Sequence, residues 1–173
     1  MRNEMIELIK SRRSIRKYEP RPIEPQALEA VLEAGTYAPS GRGMQSPVIV
    51  AVQDPATIAR LSAMNAAILG VSSDPYYGAP AILLVFAPGT AGTAVEDGSC
   101  VLENMMLAAH ALGLGSCWIN RERQMFETED GKALMAEWGL PPGMIGIAAL
   151  ALGYPDGPTP KAAPRKERYV IQV

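Results

Sequence analysis

Histidine occurs once in this sequence, at position 110, and cysteine twice, at positions 100 and 117. With so few ligating side chains, and no metal-ligand spacing between them, no metal centre is expected. In the absence of any secretory pattern, Cys100 and Cys117 are read as buried thiols and not as a disulfide. No apolar run reaches the roughly 18 uninterrupted residues of a membrane span, and the N-terminus shows no targeting signal, so a cytoplasmic protein without membrane attachment is expected. Neither sign of charge dominates: 16 Lys and Arg stand against 18 Asp and Glu, for a net charge of -2. That balance argues against a nucleic-acid partner, which calls for a broad basic surface. The G-x-S-x-G elbow, the G-x-x-x-x-G-K-[ST] phosphate loop and the H-E-x-x-H pair are also missing. "GLGSCW" carries two glycines of a dinucleotide loop, but it follows a helix pattern and enters a strand pattern, the reverse of the required order. Gly113 and Gly115 are therefore read as a helix stop and a tight turn. No catalytic side chain is assigned, and His110, inside an apolar helix pattern, is read as structural.

What is present suits one domain with a real core, since 48% of the 173 residues are apolar. No internal repeat, heptad array or low-complexity block interrupts it. Met5, Leu8 and Ile9 form a short helical stripe that brings Arg12 to the same face. A second helix is predicted from Glu24 as N-cap and Pro25 at the first turn, with Ile23 stapled onto Leu28, ending near Gly35. "VIVAV" (48–52) and "AILLVFA" (81–87) lack polar alternation and read as strands buried on both faces, and Asp54 and Pro55 open a helix between them. Residues 99–112 read as a helix apolar on nearly every side, which needs cover all round and suggests a subunit interface. "SCWI" and "MIGIAALALG" are further strands, with a helix over 129–138 between them. The tail is proline-rich until "YVIQV", which reads as an added strand.

The charges are unevenly placed. Lys10, Arg12, Arg13, Arg16 and Lys17 crowd one short stretch, and Arg165 and Lys166 lie in the tail. Each cluster is either a solvated face or an anion site; the planar guanidinium fork, with the Ser14 hydroxyl beside it, suits phosphate oxygens.

Four stretches, taken in order, are more specific than any one of them. "RRSIRKYEP", "YAPSGRGMQSP", "AAHALGLGSCWI" and "LALGYP" followed by "PRK" span nearly the whole chain and resemble the nitroreductase family. The resemblance implies an α+β fold, a central and mainly antiparallel sheet flanked by helices, in an intertwined homodimer with FMN at the subunit interface. It implies NADH or NADPH as electron donor and a small-molecule acceptor, such as a nitroaromatic or a quinone. By the same likeness, residues 1–155 are the FMN-binding domain, and 156–173 an arm that completes the phosphate site and packs on the partner subunit. Arg12 and Arg16 are implied as basic contacts to FMN, with Arg13 and Ser14 alongside and Arg165 and Lys166 closing from the arm. Pro39, Ser40, Gly41 and Gln45 match the loop that reaches the flavin from the partner, and Gln45 has the donor and acceptor for a pyrimidine edge. Asn65 resembles a polar contact. Ser116, Cys117, Trp118 and Ile119, up to Asn120, match the backbone that passes the ring and offers N–H groups to flavin N5. Cys117 is read as a packing residue.

One departure stands out: Gly43 occupies the place of the family's usual Asn, followed by Gln45, Ser46 and Pro47, so that a ligand amide and a large ring are missing near the substrate pocket. Two functions follow from these readings: a ping-pong FMN-dependent NAD(P)H oxidoreductase, or a flavin-binding sensor or carrier with little turnover.

Overall fold

A computed structural model describes residues 3–173. Four strands, β1 (Val48–Val52), β2 (Ala81–Pro88), β3 (Gly115–Ile119) and β4 (Met144–Gly153), form one sheet in the order β1-β2-β4-β3, with every pair antiparallel. The predicted α+β architecture is thus present. The helices are α1 (Glu4–Ser11), α2 (Pro25–Thr36), α3 (Pro55–Leu69), α4 (Ala94–Ala111), α5 (Glu122–Glu127) and α6 (Glu129–Glu137).

The unalternating run of β2 is explained by cover on both faces. Successive side chains of a strand point to opposite sides. Ile82, Leu84 and Phe86 pack with Leu61 of α3, Met125 and Phe126 of α5 and Leu134 of α6. Ala81, Leu83 and Val85 pack with Leu28 and Val31 of α2 and Leu102 and Met105 of α4. β4 divides in the same way, with Ala149 and Ala151 on the first side and Ala148, Leu150 and Leu152 on the second. Both inner strands are therefore apolar throughout because neither face meets water.

β1 departs from expectation. It is an edge strand, only Val52 is buried, and Ala51 is exposed. α4 also begins earlier than predicted, at Ala94, because Glu96 and Asp97 are first-turn acids that suit a helix N-terminus and do not mark a loop. Most of its apolar surface is covered within the chain by α2 and the sheet, which leaves a half-exposed stripe through Cys100, Glu103, Leu107 and His110. "YVIQV" forms no strand: Val170 and Ile171 are 75% and 70% exposed.

The basic stretch leaves α1 at Arg12 and runs along the outer edge of β3. Ser14 bridges Ser116 in parallel, Ile15 N–H donates to the Ser116 carbonyl at 2.9 Å, and Tyr18 bridges Pro155. Gly115, predicted as a turn residue, is instead the first residue of β3. A Cβ there would lie 2.9 Å from three carbons of Ile15, so its bare backbone lets the basic strip close onto the sheet. Gly115→Ala is accordingly expected to destabilise the fold by about 1–3 kcal/mol through overpacking. Urea denaturation measures this, and an unchanged midpoint would show that the strip yields without cost.

Candidate functional site

Arg12 and Arg13 lie where the chain turns out of α1 toward β3. Arg13 Nη1 donates to the carbonyls of Lys10 at 2.7 Å and Arg12 at 2.6 Å, which fixes the guanidinium against its own backbone. Arg13 Nε and Arg12 Nη1 are buried and have no hydrogen-bond partner. Arg12 Nε is 3.9 Å from a Glu103 oxygen, too long for a good hydrogen bond. Both arginines line a cavity of about 150 Å³ together with His110, Ser116 and Thr159. At roughly 30 Å³ per water that is space for about five waters. Buried cationic N–H groups without acceptors are costly unless an acceptor is supplied. The arrangement therefore suits a small anion of phosphate size.

Arg16 points the other way. It is exposed, with its guanidinium carbon 5.9 Å from the centre of the Tyr77 ring. Cys117, within β3, is buried; burial raises its pKa against the opposing pull of Arg16 and a hydrogen bond to Ser14. It remains a neutral thiol in a packed position. Arg165 and Lys166 are exposed and engaged within the arm, Arg165 Nη2 with the Ala163 carbonyl at 2.7 Å and Lys166 Nζ at 5.1 Å from the Tyr169 ring. The structure does not bring them to Arg12 and Arg13.

The second stretch forms a loop pinned to α4. Gly41 N–H donates to Asp97 Oδ1 at 2.9 Å, Thr93 Oγ1 donates to Asp97 Oδ2 at 3.0 Å, and Gln45 N–H donates to Ser40 Oγ at 2.9 Å. Arg42, Gly43 and Gln45 all have positive φ, at 55°, 66° and 49°. Gly43 is the one of the three without a Cβ penalty, and a side chain added there would meet nothing within 4 Å. Pro39, Ser40 and Gln45 line a cavity of about 490 Å³ with Leu32, Ile49 and Val101. This loop leads into β1, at one edge of the sheet, while the basic strip lies on β3, at the other. Three strand spacings, roughly 14 Å, separate the two edges. A single chain therefore does not bring the two predicted halves together.

Beyond Ile119 the backbone turns sharply, with Arg121 at φ 87°. A non-glycine residue in this conformation costs about 1–3 kcal/mol and needs a surrounding that enforces it. A buried polar cluster supplies one. Arg121 Nε donates to Asn65 Oδ1 at 2.7 Å, and Asn65 Nδ2 donates to the Asn120 carbonyl at 3.0 Å and, at 3.4 Å, to Glu122 Oε1. Tyr76 OH donates to Glu122 Oε1 at 3.1 Å, while Glu122 Oε2 has no partner. Glu122 is fully buried, and that burial pushes its pKa up to about 7, with Tyr76 and Arg121 pulling the other way. Asn65 is also fully buried with its amide engaged, so it reaches the strand end through the Asn120 carbonyl. Tyr76, Asp97, Arg121 and Glu122 are not singled out by sequence reasoning. Glu122 meets Tyr76 and Asn65 from 46 and 57 residues away, and no local pattern announces such contacts.

Comparison with known proteins agrees with this fold. Residues 9–154 match the model of the Nitroreductase family. A protein of Archaeoglobus fulgidus, provisionally named NADH dehydrogenase/NAD(P)H nitroreductase, is 32% identical over 88% of this chain and 86% of its own. The NADPH-flavin oxidoreductase of Vibrio harveyi is 27% identical over 98% of this chain and 72% of its own. Among solved structures, a nitroreductase with bound FMN from Bacteroides fragilis superposes with a TM-score of 0.91 at 31% identity, covering 99% of this chain and all of the other.

Proposed function

The chain belongs to the nitroreductase family, and on that premise we propose that it passes electrons from NADH or NADPH to nitroaromatic, quinone or related acceptors in two separate half-reactions. It is an FMN-dependent oxidoreductase. The observation that carries the cofactor site is the pair of buried, unpartnered guanidinium nitrogens of Arg12 and Arg13 beside a cavity of phosphate size. These residues fit the phosphate of FMN.

FMN, when bound, supplies the hydride chemistry. Arg12 and Arg13 hold its phosphate through charge-assisted hydrogen bonds, with the Ser14 hydroxyl beside them and Arg16 along the strip. Arg165 and Lys166 close over the phosphate once the arm is in place. The backbone from Ser116 through Cys117, Trp118 and Ile119 to Asn120 would pass the ring, and the N–H groups that the pairing with β4 leaves free would be the donors for the ring edge. Asn65, Arg121 and Glu122 hold that backbone in its turn. Pro39, Ser40, Gly41 and Gln45 come from a second copy, so the active protein is a homodimer. Two features support the dimer. The halves of the site lie on opposite sheet edges, and apolar surface stands uncovered on α1, where Met5 and Ile9 are 61% and 50% exposed, and on the tail. Residues 156–173 serve as the arm that packs on that second copy. His110 and Cys117 take no part in the hydride step.

Anaerobic stopped-flow mixing of the FMN-loaded protein with NADH or NADPH tests this reading, with the flavin absorbance as readout. Bleaching is expected, followed by recovery on mixing with a quinone. Replacement of Cys117 by Ala is expected to leave the reductive rate within about tenfold, since a true general acid or base contributes 10²- to 10⁴-fold. A flavin that neither nicotinamide reduces would overturn the oxidoreductase assignment in favour of a flavin-binding sensor or carrier.

A further inference from the structure

The one histidine of the chain sits where the last turn of α4 meets the last turn of α1. Ser11 Oγ is 3.0 Å from the Leu8 carbonyl and 2.8 Å from His110 Nε2. A serine hydroxyl has a single proton. Once it is given to Leu8, Ser11 accepts from His110 Nε2–H, and the lone pair of the neutral ring is left on Nδ1. Nδ1 makes no hydrogen bond to the described residues. His110 lines the same small cavity as Arg12 and Arg13, whose buried nitrogens also lack partners.

The charges around His110 favour an anion. Arg12 and Arg13 come from the strip, while Lys10 on α1 is already paired with Glu7 at 2.9 Å. Glu103 on α4 offers one carboxylate, at 3.9 Å from Arg12 Nε. β3 and the arm add Ser116 and Thr159, which carry no charge. Burial and the two arginines hold the imidazole pKa below its ordinary value, so without a bound anion the ring is neutral near pH 7.

We infer that His110 is a further ligand of the flavin phosphate, and that it takes up a proton at Nδ1 when the phosphate enters the cavity. The inference rests on the FMN reading above. A phosphate dianion cancels the field of the two guanidinium groups, and an imidazolium is favoured again by the C-terminal end of α4. Binding of FMN then consumes a proton. This part of the affinity is present below the free-state pKa of His110 and is lost as pH rises through its higher pKa in the complex. Protonated His110 is thus a positioning contact for the phosphate, remote from the reacting ring.

The test uses tag-free protein labelled at histidine, in which NMR reports one imidazole. Its titration is expected below the ordinary histidine pKa in the FMN-free protein, above it with FMN bound, and unmoved by riboflavin, which lacks the phosphate. In His110→Gln, the ratio of Kd at pH 8 to Kd at pH 6 is expected to be about tenfold smaller than in wild type, the weight of one charge-assisted contact. Taking the ratio between proteins cancels the ionisation of the phosphate itself. Stoichiometric FMN with an unmoved His110 titration would overturn this inference and leave the FMN site standing. Failure to bind FMN at all would overturn both.

Discussion

Wild-type protein is expected to lose about 3 kcal/mol of stability between pH 4.5 and pH 7 on account of Glu122, and Glu122→Gln to lose almost none of it. Glu122 has no exposure, and burial carries its pKa from an ordinary 4.5 to about 7. Between those values the folded chain keeps a proton that the unfolded chain has released, so rising pH favours unfolding. The stabilising effect is complete below pH 4.5 and gone above pH 7; at about 1.4 kcal/mol per pH unit it amounts to about 3 kcal/mol. Glutamine imitates the protonated side chain. Its Oε1 still accepts from Tyr76 OH and Asn65 Nδ2, and its Nε2 occupies the place of Oε2, which has no partner in the wild type. At pH 8 the variant should therefore be the more stable protein. In FMN-free protein His110, whose pKa is lowered, contributes a slope of opposite sign that persists in both wild type and variant. Guanidinium denaturation of both proteins at a series of pH values and fixed protein concentration measures the difference, and a gap between wild type and Glu122→Gln that stays constant from pH 5 to pH 7 would refute it.

Loss of either strip arginine is expected to weaken FMN binding about tenfold to a hundredfold while leaving riboflavin binding unchanged. Each substitution, Arg12→Gln or Arg13→Gln, removes one charge-assisted contact worth roughly 1.5–3 kcal/mol. The contrast with riboflavin assigns the loss to the phosphate. The same variants probe the assembly. When Arg12→Gln/Arg13→Gln protein is co-folded with Ser40→Ala/Gln45→Ala protein, each mixed dimer carries one site with both lesions and one site with neither. Such dimers should hold one FMN at concentrations where each parent is empty. Mixed dimers that form and stay colourless would show that strip and loop do not serve a common site. Equal loss of FMN and riboflavin in the arginine variants would show that these side chains support the fold and do not hold the phosphate.

The elements were largely legible from local pattern. Pro25 and Pro55 at helix starts, Gly113 past a helix end, and the apolar runs of β2 and β4 declare themselves because capping, φ restriction and two-faced burial act within a few residues. The order of the four motifs also pointed to the family without any knowledge of contacts. Tertiary structure alone decided how those pieces meet. It placed the basic strip on one sheet edge and the "SGRGMQ" loop on the other, because the strand order β1-β2-β4-β3 depends on pairings between distant residues. It exposed β1 and the tail, whose apolar letters look the same whether or not anything covers them. Gly115 became a point of close approach to Ile15, a hundred positions away in the chain. His110 gained a serine from α1 and two arginines as neighbours. Glu122 acquired a raised pKa because the chain enclosed it, and enclosure is a property of the whole fold that no stretch of sequence carries by itself.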